Sequence, residues 1–245
     1  MWGYGNSLRN SWLYGVRVLR RLAALFSGGK DSTYAIYFIE KVGYNVDLLL
    51  TVYPSSSESL YFHYPNVRLT RLQAEAMRKK HITKEAFNDE LEALRDLIEK
   101  TSQDVDGVVL GVSSSSFQKK AVESICREYN IEVLTPLWGL DPSKLLREII
   151  KSNFQVMVTG VAALGLTREW LGRILTEEDV EKLEEVCRKY GVNVCGEGGE
   201  METMVLDCPL FKEKIRVLDY EIEWRGDRGF LLVKKAELRR KTNSL

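Results

Sequence analysis

Histidine and cysteine are scarce in this 245-residue chain. The only histidines are His63 and His81, and the four cysteines, Cys126, Cys187, Cys195 and Cys208, contain no C-x-x-C pair, which argues against a zinc site. With no signal peptide in evidence, the cysteines read as buried or free thiols in a reducing cytoplasm. No window supplies the roughly 18 consecutive apolar residues of a membrane helix, so a soluble protein is expected. Charge of either sign is also missing in excess: 35 Lys and Arg balance 35 Asp and Glu. No overall positive field therefore advertises nucleic-acid binding, although a local basic patch stays open.

What is present is ordered. After "MWGYGNSLRNSWLYG", which reads as a flexible extension with a transit peptide as the alternative, strand-like runs alternate with runs of helical period. The strands are "RLAALF", "VDLLLTVY", "GVVLGV", "IEVLTP" and "FQVMVTGVA", a pattern that predicts an α/β domain with a parallel sheet sandwiched by helices. Helix starts are legible at Asn88, at Asp141 with Pro142, and at Thr176 with Asp179, the last helix ending at Gly191. From Ile215 onward, "IRVLDYEIEW", "RGDRG" and "FLLVKKAEL" predict a hairpin of two long strands. The division expected is an extension over residues 1–17, a nucleotide-type domain over 18–138 and a smaller α+β domain over 139–245. The serine-rich pieces "PSSSES" and "SSSS" read as loops.

The chemistry concentrates in "LFSGGKDS", Leu25 to Ser32, between the first strand and the first helix. Gly28 and Gly29 let backbone approach a ligand, and the helix beginning near Ser32 points unpaired amides into the loop. Lys30 adds a positive charge, Ser27 and Ser32 add hydroxyls, and Asp31 is the candidate ligand for a magnesium ion. The loop fits neither the Walker nor the Rossmann spacing. Its S-G-G-x-D-S pattern resembles the pyrophosphate loop of the N-type ATP pyrophosphatases, a resemblance that implies an ATP cofactor cleaved at the α-phosphate.

A second informative stretch is "CGEGGEMETMVLDCPLF", Cys195 to Phe211. Gly196, Gly198 and Gly199 suit close approach to a ligand, and a strand over "EMETMV" sets Glu200 and Glu202 on one side, with Glu197 nearby. On spacing alone, a solvated turn and an edge strand account for it equally well. Together with "SLYFHYPN", "LQAEAM", "PLWG" and "EWLGR", however, "GEGGEMET" is similar in order and spacing to the diphthine–ammonia ligases, over roughly Arg21 to Lys241. Met201 and Met204 depart from that family's usual aromatics, "VTGVAALGL" lacks its usual lysine and acid, and "VSSSSFQKK" is unusually rich in serine.

That resemblance implies a cytoplasmic ligase forming a C–N bond. ATP and Mg2+ activate the carboxylate of diphthine on translation elongation factor two as an acyl-adenylate, and free ammonia displaces AMP. It implies catalytic roles for Lys30, Asp31 and Glu200, and an acceptor site drawn from His63, Trp138, Trp170, Gly172, Glu197, Gly198, Gly199, Glu200, Glu202 and Thr203. The quaternary ammonium of diphthine would meet a glutamate of this set and the face of Trp138 or Trp170, although both tryptophans equally suit core packing. Alternatives are a tRNA-modifying adenylase, a paralogue amidating another carboxylate, and an ATP-binding regulatory module without turnover. Paired reactive cysteines and a basic surface, which the tRNA enzyme would favour, are not evident. The oligomeric state stays open, with a homodimer among the options.

Overall fold

The computed structural model describes residues 21–54, 66–87 and 89–241. Residues 1–17, Asn88 and His63, each with an expected role, lie outside them.

Five strands, β1 (Leu22–Leu25), β2 (Val46–Tyr53), β3 (Lys80–Glu85), β4 (Gly107–Val109) and β5 (Glu132–Leu134), form a parallel sheet in the order β3-β2-β1-β4-β5. Period-two alternation sorts their side chains onto two faces. Leu22, Ala24 and Leu49 face one core, joined by Val46 before a register shift in β2, and Ala23, Leu25, Leu48, Leu50 and Val52 face the other. The helices α1 (Lys30–Lys41) and α2 (Thr70–Met77) cover the first face, and α3 (Glu90–Thr101) and α4 (Ser116–Glu128) cover the second. β3, "KHITKE", escapes a search for apolar runs because it is an edge strand with half its surface wet.

The chain then leaves this sheet. Helices α5 (Pro142–Lys151) and α6 (Glu177–Tyr190) accompany four strands, β6 (Gln155–Val161), β7 (Met201–Asp207), β8 (Glu213–Arg225) and β9 (Arg228–Arg240). The strand "FQVMVTGVA", expected in the parallel sheet, becomes β6 of a separate antiparallel sheet ordered β7-β6-β9-β8. A strand buried on both faces looks the same in either sheet, so its own sequence does not reveal which partners it will find. One core cluster runs continuously from the first face of the parallel sheet, through Leu145, Leu146 and Ile149 of α5, to Val156, Val205 and Leu231 of the second sheet.

Local capping follows the sequence with one change. Asp89, not Asn88, caps α3, its Oδ1 accepting from the amides of Leu91 and Glu92. Asp141 caps α5 with Pro142 at the first position, and Thr176 and Asp179 form a reciprocal capping box on α6, which ends at Gly191 in the left-handed region. The β8–β9 hairpin turns at Gly226, φ 63°. No helix of the described residues is long and apolar enough to cross a membrane.

Candidate active site

In an open parallel sheet, ligands collect at the carboxyl ends of the strands where the order reverses direction. Here that point lies between β1 and β4, since the chain runs from β1 outward to β2 and β3 before returning to β4 on the other side. The loop Phe26–Gly29 leaves β1 at that position, and α1 opens directly after it at Gly29, which has no side chain to cap the helix. Gly111, just beyond β4, passes so close that an added Cβ would lie 2.6 Å from the Cα of Ser32. Only glycine permits this approach.

The loop is stitched to itself and to the second sheet. Ser27 and Ser32 share a hydroxyl–hydroxyl bond of 3.1 Å, and the Ser27 amide donates to the Ser32 hydroxyl at 3.3 Å. Gly28 takes φ 77°, and its carbonyl accepts from the Val205 amide at 3.0 Å and from Gln73 Nε2 at 2.8 Å. The same Gln73 nitrogen donates to the Val205 carbonyl at 2.8 Å, so this fully buried amide bridges the loop and β7. The Lys30 amide donates to Thr203 Oγ1 at 3.2 Å.

Lys30 is 2% exposed. Its Nζ donates to Asp31 Oδ2 at 2.8 Å and to the carbonyl of Cys195 at 2.5 Å. Burial works against its charge, yet Asp31, Cys195 and Glu197 together outweigh it and hold the ammonium above its ordinary pKa. Asp31 Oδ1 is buried without a hydrogen-bond partner among the described residues.

These groups end a cavity of about 350 Å³. Its lining includes the apolar Leu25, Leu50, Val52, Leu91, Leu94 and Val122, and the glycine-rich turn from Cys195 to Gly199 with Glu202 and Thr203 of β7. Within that turn, Glu197 is clasped by Ser113 and Ser114. Burial alone would raise its pKa, but the hydrogen bonds from Ser114 and Ser113 prevail and hold the carboxyl below its usual range. The lining thus combines Lys30 and the amides opening α1, a slot of apolar side chains, and the carboxylates of Glu197 and Glu202.

Comparison with known proteins places most of the chain. Residues 20–133 match the diphthamide synthase N-terminal domain and residues 141–238 match the diphthamide synthase C-terminal domain. The chain belongs to the diphthamide synthase family. A human protein named diphthine–ammonia ligase is 38% identical over 226 residues, covering 82% of this chain and 84% of its own. A Danio rerio protein of the same name is 35% identical over 233 residues, covering 86% and 91%. Among solved structures, one described as the predicted subunit of a tRNA methyltransferase from Methanocaldococcus jannaschii aligns at TM-score 0.41 and 19% identity, over 78% of this chain and 98% of that one.

In this member of the diphthamide synthase family, the cavity gathers Ser27, Gly29, Lys30, Asp31, Ser32, Glu197, Gly198, Gly199, Glu202 and Thr203. Gly28 supports the loop through its carbonyl. Other expected residues stand elsewhere. β7 begins at Met201, so Glu200 is not on the strand beside Glu202; its carboxylate accepts from the amides of Gly198 at 2.7 Å and Asn193 at 3.3 Å and closes its own turn. Trp170 is buried under the Arg173 guanidinium, 5.0 Å from its ring centre, and Trp138 is half-exposed with the Lys119 ammonium 4.2 Å over its ring. Neither tryptophan lines the cavity, and their faces already hold cations. Gly172, at φ 83°, donates its amide to the Val158 carbonyl, also away from the cavity.

Sequence reasoning passed over Gln73, Gly111, Ser113 and Ser114. Gln73 was visible only as part of "LQAEAM", and no local signal says that a helical glutamine will reach two carbonyls 45 and 132 residues away.

Proposed function

We propose that this protein converts the carboxylate of diphthine, carried on translation elongation factor two, to the amide, using ATP to form an acyl-adenylate that ammonia attacks with release of AMP and pyrophosphate. The observation that carries the reading is the single cavity in which the Ser27–Ser32 loop faces the Cys195–Thr203 segment. Phosphates fit the loop end, where the α1 amides and Lys30 offer positive charge, and the adenine fits the apolar slot. The diphthine carboxylate then enters from the side of Glu202, whose charge favours the adjacent quaternary ammonium.

Adenylation creates a good leaving group, and the enzyme's share is to align the carboxylate oxygen with the α-phosphate while fixed charges meet the charge that develops. Lys30 supplies one such charge without reorganising, because Asp31 and the Cys195 carbonyl already hold it. The partnerless Oδ1 of Asp31 fits a magnesium ion, which would lower the repulsion between phosphates and carboxylate. No cluster of three or more His, Cys, Asp or Glu among the described residues forms a metal cage, so Asp31 and the phosphates of ATP would share the ion.

The test is a reconstituted reaction of purified protein with magnesium-ATP, ammonium and diphthine-bearing elongation factor, following AMP, pyrophosphate and the acceptor mass. Conversion of carboxylate to amide that depends on all three additions is expected. Pyrophosphate release without that mass change would redirect the adenylation to another acceptor. No release with a validated acceptor would leave an ATP-binding module.

A further inference from the structure

Glu197 is one of three acidic residues in the glycine-rich segment, yet its surroundings differ from those of the other two. Its Oε1 accepts from the backbone amides of Ser113 and Ser114, the latter at 2.9 Å, and its Oε2 accepts from both hydroxyls, Ser113 Oγ at 2.8 Å. A carboxylate offers about four lone-pair directions, and four donors occupy them. All four come from the short loop between β4 and α4. That loop is itself anchored, because the Ser113 carbonyl accepts from the Gly139 amide at 2.8 Å, in the segment that crosses between the sheets.

Two residues before Glu197 is Cys195, whose carbonyl accepts from Lys30 Nζ. The link between them is stiff. Gly196 sits at φ 69°, with Met201 so near that an added Cβ would lie 2.7 Å from its backbone oxygen. The Cys195 amide donates to Asn193 Oδ1 at 2.8 Å, and its thiol donates to the Pro142 carbonyl at 3.1 Å. The Cys195 carbonyl and the Glu197 carboxylate thus belong to one tightly fixed turn.

We propose that Glu197 is a positioning residue: by clasping Ser113 and Ser114 it holds the Cys195 carbonyl against Lys30 and so fixes the ammonium at the phosphate end of the cavity. This deepens the ATP-dependent reading above and rests on it. The serine-rich "SSSS" loop gains a role, since its hydroxyls complete the clasp.

The hydroxyls also supply the means of testing it. In Glu197→Gln, the amide oxygen still accepts from both backbone N–H groups, while the new NH2 donates to the two hydroxyls, which turn to accept. The geometry survives and the charge is lost. Glu197→Ala loses both. The two variants are compared with wild type, Lys30→Met and the Glu197→Ala/Lys30→Met double variant, by equilibrium binding of a non-hydrolysable ATP analogue and by amide formation. Glu197→Ala is expected to weaken analogue binding and turnover by about 10- to 100-fold, with Glu197→Gln within about threefold of wild type on both. In analogue binding, the double variant is expected to match Lys30→Met alone, because residues acting through one another are non-additive. A Glu197→Gln as defective as Glu197→Ala would overturn the proposal in favour of a role for the charge itself. Additive losses, or a lowered melting temperature with analogue affinity unchanged, would overturn it in favour of simple packing. Failure of the amidation reading would look different: wild type would form no amide, while the coupling between Glu197 and Lys30 in analogue binding would persist.

Discussion

The Nζ of Lys30 lies 2.5 Å from the carbonyl oxygen of Cys195, 165 residues further along the chain. This one bond joins the loop after the first strand to the glycine-rich turn of the second sheet, at the cavity the two share. In the proposed reaction, the charge that would meet the phosphates is thus set in place by the segment that would meet the acceptor.

Lys30 and Asp31 form an ion pair that is buried on one side only, the lysine 2% and the aspartate 26% exposed. Lys30→Met should abolish measurable amidation and cost roughly 1–3 kcal/mol of stability, less than the full cost of breaking a buried pair because Asp31 keeps some water. Adding Asp31→Asn should recover much of the stability in urea unfolding and none of the turnover. Recovery of turnover would show that the pair serves folding alone.

Gln73 bridges the carbonyls of Gly28 and Val205. Gln73→Leu leaves those buried acceptors short of a donor, at about 1–3 kcal/mol, and lets the loop shift relative to β7. The expected outcome is a raised KM for ATP with acceptor KM little changed, measured by steady-state kinetics at saturating co-substrate.

Glu202 is the carboxylate of the acidic segment that both lines the cavity and lies on β7. Glu202→Gln should raise the acceptor KM about tenfold, equivalent to about 1.4 kcal/mol, and leave ATP binding unchanged. Trp170→Phe, a buried substitution outside the cavity, should leave the acceptor KM within error.

His81 carries a pH prediction. The Thr51 hydroxyl donates to the Phe26 carbonyl at 2.6 Å, so at 2.8 Å from His81 Nε2 its oxygen accepts, which places the ring proton on Nε2. Burial, assisted by Arg71, pushes the imidazole down from 6.5 to about 4. A base with a depressed folded pKa stabilises the fold above its unfolded pKa, and that contribution is lost as pH falls from about 6.5 towards 4. Melting temperature should therefore decline over that window in wild type and decline less in His81→Gln.

The sequence by itself determined the local and contiguous features. The parallel alternation, the caps at Asp141 and Thr176, the hairpin after Ile215 and the turn-plus-helix at Ser27–Ser32 all depend on residues within a few positions of one another, where glycine, proline and side-chain caps act directly on the backbone. The family was equally legible, because its motifs are short runs in a fixed order. Only the tertiary structure decided the rest. β6 joined an antiparallel sheet because its partners, β7 and β9, come later in the chain. Glu197, Glu200 and Glu202 look alike in "GEGGEME", yet one is clasped by serines 84 and 83 residues away, one closes its own turn, and one lies on β7 at the cavity. A carboxylate's work is fixed by which donors reach it, and those donors arrive from other elements when the chain packs.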